Sequence, residues 1–486
     1  MSAKQRSIAV VGGGFGGVGT AVMLRRQGYE NVIVFEKGER VGGVWQHNTY
    51  PGAACDIPSH LYEYSFAPNR WSRRFSPGPE IRAYIEGVAK RFGVFDKVCT
   101  GTEVTSASWD EERGRWLLET SAGAHEADVL ITACGQLSVP KVPPITGLES
   151  FEGPAFHTAE WRHDVDLAGK RVALIGTGCS AIQVGPAIQP EVARLDVYQR
   201  SPGWTLAKGD FAYSRLLRSL FRRLPALRRL DRASVYAFQE IAAAAFTRHR
   251  WLLPLFRLLG MRQIKAAISD PELRRKVTPT YEFGCKRIML TDDWYPTLTR
   301  DNVELVAEGI DRVTPDGIRD ATGVERAADA IVLATGFASH DFIAPMEITG
   351  SDGLTLESAW DEVARAYLGL SVPGFPNLFL LYGPNTNGGS GSVVNTLECG
   401  IGHVLAALDE MERAEASRIE VSRAAATEFD RELRAALAKT VWQSGCSNWY
   451  VDENGNDPNN WPWVWSAYRR RTRELAPGAY ELVGPR

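Results

Sequence analysis

Two glycine-rich turns in this chain have the spacing that grips a pyrophosphate. The first, Gly12-Gly-Gly14-Phe-Gly-Gly17, follows the apolar run Ile8-Ala9-Val10-Val11 and opens a helical stretch. Gly12 permits the tight turn, Gly14 lets the backbone approach a phosphate, and Gly17 lets helix and strand pack closely. A diphosphate seated there meets the free N–H groups and partial positive charge of a helix start. A second apolar run, Val32-Ile33-Val34-Phe35, ends in Glu36, where a carboxylate accepts bonds from ribose hydroxyls. Glycines of a mere tight turn would not come with strand, helix and acid in this order.

The second turn, Gly176-Thr-Gly178-Cys-Ser180-Ala181, repeats the arrangement with Ala in the third position. Its following strand ends in Tyr198-Gln199-Arg200-Ser201, with a guanidinium where the acid would stand. A guanidinium suits a 2′-phosphate. The first turn therefore predicts an FAD site and the second an NADPH site; the alternative for Arg200 is a surface residue beside a turn.

Elements of two kinds must position these turns. β-branched apolar runs alternating with helical stretches predict an α/β fold with parallel, doubly wound sheets. Two such units about 160 residues apart predict two Rossmann-like domains, the second inserted in the first. The expected boundaries are 1–150 for the first part of an FAD domain and 151–325 for an NADPH domain with a helical insertion at about 205–280. Residues 326–486 then complete the FAD domain and add a C-terminal substrate-site segment. Between 211 and 265 twelve Arg or Lys face only two acids, Asp231 and Glu240, with large apolar residues at helical spacing. Such a stretch is either a helical insertion with a solvated basic face, or a surface for membrane or lipophilic substrate.

At 486 residues the chain has room for two domains, and its formal net charge of −3 gives no reason to expect a nucleic-acid partner. No apolar run is long enough to span a membrane, and the N-terminus has no export-signal pattern. The seven cysteines form no CxxC pair and no metal-ligand spacing. They are expected as reduced thiols in a cytoplasm, with no metal site and no dithiol redox centre. A disulfide reductase is thereby disfavoured.

Beyond the turns, Gly42-Gly43-Val44-Trp45 leading to Tyr50-Pro-Gly52 and Asp56 resembles the second fingerprint of type I Baeyer–Villiger monooxygenases. Phe151-Glu-Gly153, His157 and Trp161 are similar to that family's main fingerprint, and Ala334-Thr335-Gly336-Phe337 and Gly383-Pro-Asn385-Thr386 are also family-like. The similarity covers nearly the whole chain. The stretch after Gly383 looks closer to the hydroxyacetophenone-oxidising branch. One departure is Arg162 after Trp161, with Asp164 following, where the family has Pro or Asp.

The resemblance implies conversion of a ketone to an ester or lactone with O2, through a peroxide at C4a of the reduced flavin. It implies that Arg287, in Gly284-Cys-Lys286-Arg287, is the cation for that anionic peroxide and for the adduct, a preorganised charge. Asp56 would face Arg287 and the nicotinamide. Lys286 would assist Arg200 at the 2′-phosphate with Ser201. Lys37, Gly43, Val44, Trp45, Tyr50, Thr335 and Gly336 would line the cofactors. His157 is either a buried histidine bonded to backbone or, with Trp161, a support for domain linkage. Trp461, Trp463 and Trp465 either cap the substrate cavity or belong to the core. The competing readings are an N- or S-oxygenating flavin monooxygenase and a non-enzymatic FAD-binding redox module.

Overall fold

The computed structural model describes residues 3–343 and 345–484. Two five-stranded parallel sheets dominate it. In the first, strands lie in the order Leu378–Leu380, Val129–Thr132, Ile8–Val11, Val32–Glu36, Val98–Thr100. In the second the order is Val303–Val306, Arg194–Tyr198, Arg171–Ile175, Ala330–Leu333, Ala155–His157. Each glycine turn thus leaves the middle strand of its sheet. Helices cover one face of each sheet and a smaller β-sheet covers the other, through Trp109, Trp116 and Leu118 in the first and Val313 and Ile318 in the second. Buried on both faces, the strands read as uninterrupted apolar runs. Val10, Val34, Leu130 and Leu174 are fully buried.

Ala330–Leu333, which a boundary at 326 assigns to the first domain, pairs with Arg171–Ile175 in the second sheet. The first sheet regains a strand only at Leu378–Leu380. A buried apolar strand carries no mark of which parallel sheet it joins, so periodicity alone put the return too early.

The insertion leaves the second sheet after Tyr198 and closes on itself where Thr205–Leu206 pairs with Met289–Leu290. Between them run the helices Arg215–Arg223, Pro225–Thr247, Leu253–Ala267 and Pro271–Val277. Both acids of the basic stretch turn inward. Asp231 Oδ2 meets His60 Nδ1 at 2.7 Å, and Glu240 accepts from the Ser466 backbone N–H at 2.7 Å.

The helix Val393–Arg413 holds the C-terminal segment through His403, whose Nδ1 faces the Thr472 carbonyl (3.1 Å) and Nε2 the Tyr480 hydroxyl (2.8 Å). Burial pushes this imidazole from the usual 6.5 down to about 4, against the Thr472 contact. The folded state therefore binds fewer protons than the unfolded state between these values. The stability from neutral His403 is complete above pH 6.5 and is lost as pH falls toward 4, about 3 kcal/mol in all. Denaturant melts of wild type and His403→Gln from pH 7 to 4.5 should show a shallower loss in the variant. Parallel curves would refute this.

Candidate active site

The two turns have one geometry. Gly12 has φ +112° and Gly176 φ +114°. A Cβ on Gly12 would strike the Ala133 carbonyl, and one on Gly176 the Ala334 carbonyl. Each turn crosses beside the end of the neighbouring strand with no room for a side chain. Gly17 packs against the Gly12 carbonyl and Val34, while Gly178 has nothing within 4 Å of its missing Cβ. Gly14 precedes the helix Phe15–Arg26 and its missing Cβ is 3.3 Å from the Gly43 Cα. Ser180 precedes the helix Ala181–Ile188, with Ala181 fully buried.

Glu36 ends its strand with Oε2 accepting from Gly13 N–H (2.6 Å) and Oε1 from Gly38 N–H (2.7 Å). The carboxylate thus stands beside the first turn, while Lys37 next to it points to solvent. These open, side-chain-free cradles at helix starts fit dinucleotides.

The insertion carries Lys286 and Arg287 on the segment before Met289–Leu290. Lys286 Nζ donates to Ser201 Oγ at 2.8 Å. Burial, then the neighbouring Arg200, holds its ammonium below the ordinary range. Arg200 itself is exposed. Two cations and a hydroxyl therefore share the end of the strand Arg194–Tyr198. Their mutual repulsion leaves an anion-sized demand there.

Arg287 Nη2 donates to Asp56 Oδ2 at 2.5 Å, and the side chains keep 29% and 27% of their surface open. Burial alone would raise the Asp56 carboxyl, but Arg287 overrides it and holds it below the usual range. Asp56 in turn lifts the guanidinium well above its ordinary value, against burial. Both stay charged. Cys179, inside the second turn, is pushed up by burial and feels Arg287, so the ion pair lies beside that turn.

Tyr50 and Trp45 pack around the same region. Trp45 Nε1 donates to the Tyr62 hydroxyl at 3.2 Å. The Tyr50 hydroxyl donates to Gln183 Oε1 at 3.0 Å, and Gln183 Nε2 to the Ala54 carbonyl at 3.0 Å. Gln183, on the helix after the second turn, straps the segment leading to Asp56 onto the second domain. Val44 begins the short helix Val44–His47 next to it.

The remaining expected residues sit elsewhere. His157 ends an edge strand, its Nδ1 accepting from Ala159 N–H at 3.1 Å. It lies edge-on to Phe337, and its Nε2 is buried without a partner. Burial pushes its value down. Trp161 packs edge-on against Phe156 at 5.1 Å. The Arg162–Asp164 pair is exposed on the surface. Thr335 Oγ1 donates to the Lys141 carbonyl at 2.7 Å, and Gly336 turns at φ +87°. Trp461 is buried against Trp463 and Tyr468. Trp465, with Nε1 on the Ser390 carbonyl, closes a narrow aromatic cavity with Phe246 and Trp442.

The cysteines need correction. Cys285 and Cys446, separated by 161 residues, form a disulfide with Cα atoms 6.2 Å apart. The fold brings the C-terminal segment onto the loop of Arg287, a proximity that spacing cannot show. Asn448 reinforces it by donating to the Cys285 carbonyl at 3.1 Å.

Residues 9–242 match the family described as pyridine nucleotide-disulphide oxidoreductase, although the chain has no CxxC pair. A Baeyer–Villiger monooxygenase of Streptomyces coelicolor is 42% identical over 481 residues, 98% of this chain and 93% of its own. The chain belongs to the Baeyer–Villiger monooxygenases. A structure of oxidized steroid monooxygenase bound to NADP matches with TM-score 0.89 at 32% identity, covering 99% of this chain and 100% of that one. A structure of OTEMO in complex with FAD and NADP gives 0.87 at 27%, covering 98% and 99%. No helix among the described residues is long and apolar enough to cross a membrane.

For a Baeyer–Villiger monooxygenase, sequence reasoning overlooked two residues near the ion pair. Gln183 is one; a glutamine two positions into a helix carries no signal of its partner. Tyr450 is the other. It is fully buried, its hydroxyl has no partner, and Arg287 acts on it electrostatically against a rise caused by burial. Its neighbour Trp449, a sequence-visible aromatic, was the only hint.

Proposed function

We propose that the chain converts a lipophilic ketone to an ester or lactone. One oxygen atom of O2 enters the product, the other leaves as water, and NADPH supplies the two electrons. FAD, when bound and reduced by NADPH, supplies the activation of O2. The observation that carries this reading is the Arg287–Asp56 pair: an acid from the first domain and a base from the insertion of the second, both charged, meeting beside the second turn.

Arg287 holds a fixed cation where a ketone oxygen gathers negative charge, and Asp56 keeps that cation oriented. Such preorganised charge costs no reorganisation at the moment of reaction. Arg200, Ser201 and Lys286 bind the 2′-phosphate, and Glu36 takes the ribose of FAD. We assign FAD to the sheet built from Ile8–Val11 and Leu378–Leu380, and NADPH to a second domain running through Leu333. The apolar side chains exposed on the insertion, Leu216, Leu230, Phe238 and Trp251 among them, support a lipophilic substrate, and dependence on NADPH supports a cytoplasmic enzyme.

The test is incubation with NADPH, O2 and a ketone panel beside amines and sulfides. Ester or lactone products support the reading. Heteroatom oxides with no ester from any ketone would overturn it.

Tyr450 gives a sharper check on the ketone's place. Removing a buried, unpaired hydroxyl should stabilise the free protein by about 1 kcal/mol. If that hydroxyl donates to substrate, Tyr450→Phe melts higher yet turns over about tenfold more slowly, an energy near one hydrogen bond. Unchanged turnover would remove Tyr450 from the site.

A further inference from the structure

The basic stretch 211–265 leaves its apolar residues outside. Trp251 is 74% exposed, Leu216 71% and Leu230 66%. On the helix Pro225–Thr247, Leu227, Leu230, Phe238 and Ile241 are all exposed. At about 100° per residue they fall within roughly 80° of arc, one stripe along the helix. About 100° round the helix from that stripe, Val235, Ala242 and Phe246 are buried against the protein. The next helix, Leu253–Ala267, likewise turns Leu255, Leu258 and Leu259 outward. The free sides of both helices therefore mix large apolar residues with basic ones, Arg229 on the first and Arg257, Arg262 and Lys265 on the second. Exposed apolar area of this extent marks an interaction site.

Charge chooses the occupant. The stretch has a surplus of ten positive charges, in a chain whose formal net charge is −3. Among the described residues, Arg218, Arg222, Arg223, Arg229, Arg248 and Arg262 are exposed and enter no ion pair. Its two acids are consumed inside, Asp231 by His60 and Glu240 by Ser466. A second copy docking through the same face would set these guanidinium groups against each other. An anionic surface with an apolar interior satisfies both features at once.

We infer that the helices Arg215–Arg223, Pro225–Thr247 and Leu253–Ala267 dock this enzyme on an anionic lipid bilayer, with the leucine and aromatic side chains entering the headgroup boundary. The docking is peripheral and reversible, since no helix spans. It also points toward the site: the stripe-bearing helix carries Phe246 in its last turn, and that ring would lie 2.9 Å from a Cβ on Gly284, three residues before Arg287.

Flotation of the FAD-loaded full chain with vesicles tests this. Vesicles of equal phosphatidylcholine and phosphatidylglycerol should carry the enzyme at low salt, and pure phosphatidylcholine at least tenfold less. About 1 M salt, where the Debye length is about 3 Å, should release it. Each Arg near an anionic surface strengthens attachment about fivefold. Arg222→Glu with Arg223→Glu should therefore weaken binding by roughly thirtyfold or more. Arg222→Lys with Arg223→Lys should bind as wild type, and Phe238→Ser with Trp251→Ser should weaken binding to the same vesicles. All variants should keep their FAD and their rate of NADPH oxidation in vesicle-free buffer. Absence of wild-type flotation with the anionic vesicles overturns the inference, as does equal flotation of the Glu variant. So does a dimer in sedimentation that Phe238→Ser disperses without any vesicle binding, which assigns the face to a second copy.

Discussion

Arg287→Ala is expected to lower ketone oxygenation at least 10³-fold while NADPH still reduces the flavin at a rate within a few-fold of wild type. Two effects add. The substitution removes the fixed cation, a loss worth about 10²–10³ where one preorganised donor is deleted. It also strands Asp56, whose carboxyl burial would raise and whose charge Arg287 now holds in place. A half-buried carboxylate left without its partner is destabilised or takes a proton. NADPH consumption should continue, with hydrogen peroxide released in place of ester. Arg287→Lys should recover part of the activity, because a point charge replaces the fork that reaches Asp56 Oδ2. The measurement is product yield per NADPH together with the rate of flavin reduction. Ester formation within tenfold of wild type would dismiss Arg287 as the cation; equal loss of flavin reduction would make the effect one of folding or NADPH binding.

The parts of this site differ in how far sequence reaches them, and the difference is one of range. Gly12 to Glu36 and Gly176 to Arg200 are each a local unit, where strand, turn, helix and strand end constrain one another within about 25 residues. Lys286 and Ser201 are 85 residues apart, and Arg287 and Asp56 231 apart; nothing periodic links them, and only likeness to a family placed them together. Cys285 and Cys446 lay beyond both kinds of reasoning. The strand Ala330–Leu333 was visible as a strand but not as a member of the second sheet, because apolar β-branched runs fit any buried parallel position. In the insertion, composition revealed the basic surplus and the apolar spacing. Which side faced solvent depended on where Val235 and Phe246 packed, and only the fold shows that.

The second large effect separates the two cradles. Gly176→Val should abolish NADPH-driven flavin reduction, by at least 10³-fold, in a protein that still carries FAD and is still reduced by dithionite. Gly176 sits at φ +114°, a conformation that a β-branched L-residue reaches only under strain. Its Cβ would also run into the carbonyl of Ala334, a backbone atom at the end of the neighbouring strand that cannot step aside. The turn must therefore move outward into the space that Gly178 leaves open, which is where a pyrophosphate would lie. The fold should survive, because the strand Arg171–Ile175 is paired on both sides by Arg194–Tyr198 and Ala330–Leu333, and only the turn beyond it needs to shift. The companion Gly12→Val meets the Ala133 carbonyl in the same way, and should give the opposite phenotype, protein purified without flavin. FAD content by absorbance, reduction rates with NADPH and with dithionite, and circular dichroism decide between them. If Gly176→Val loses FAD while Gly12→Val keeps it, the assignment of the two cofactors to the two turns is reversed.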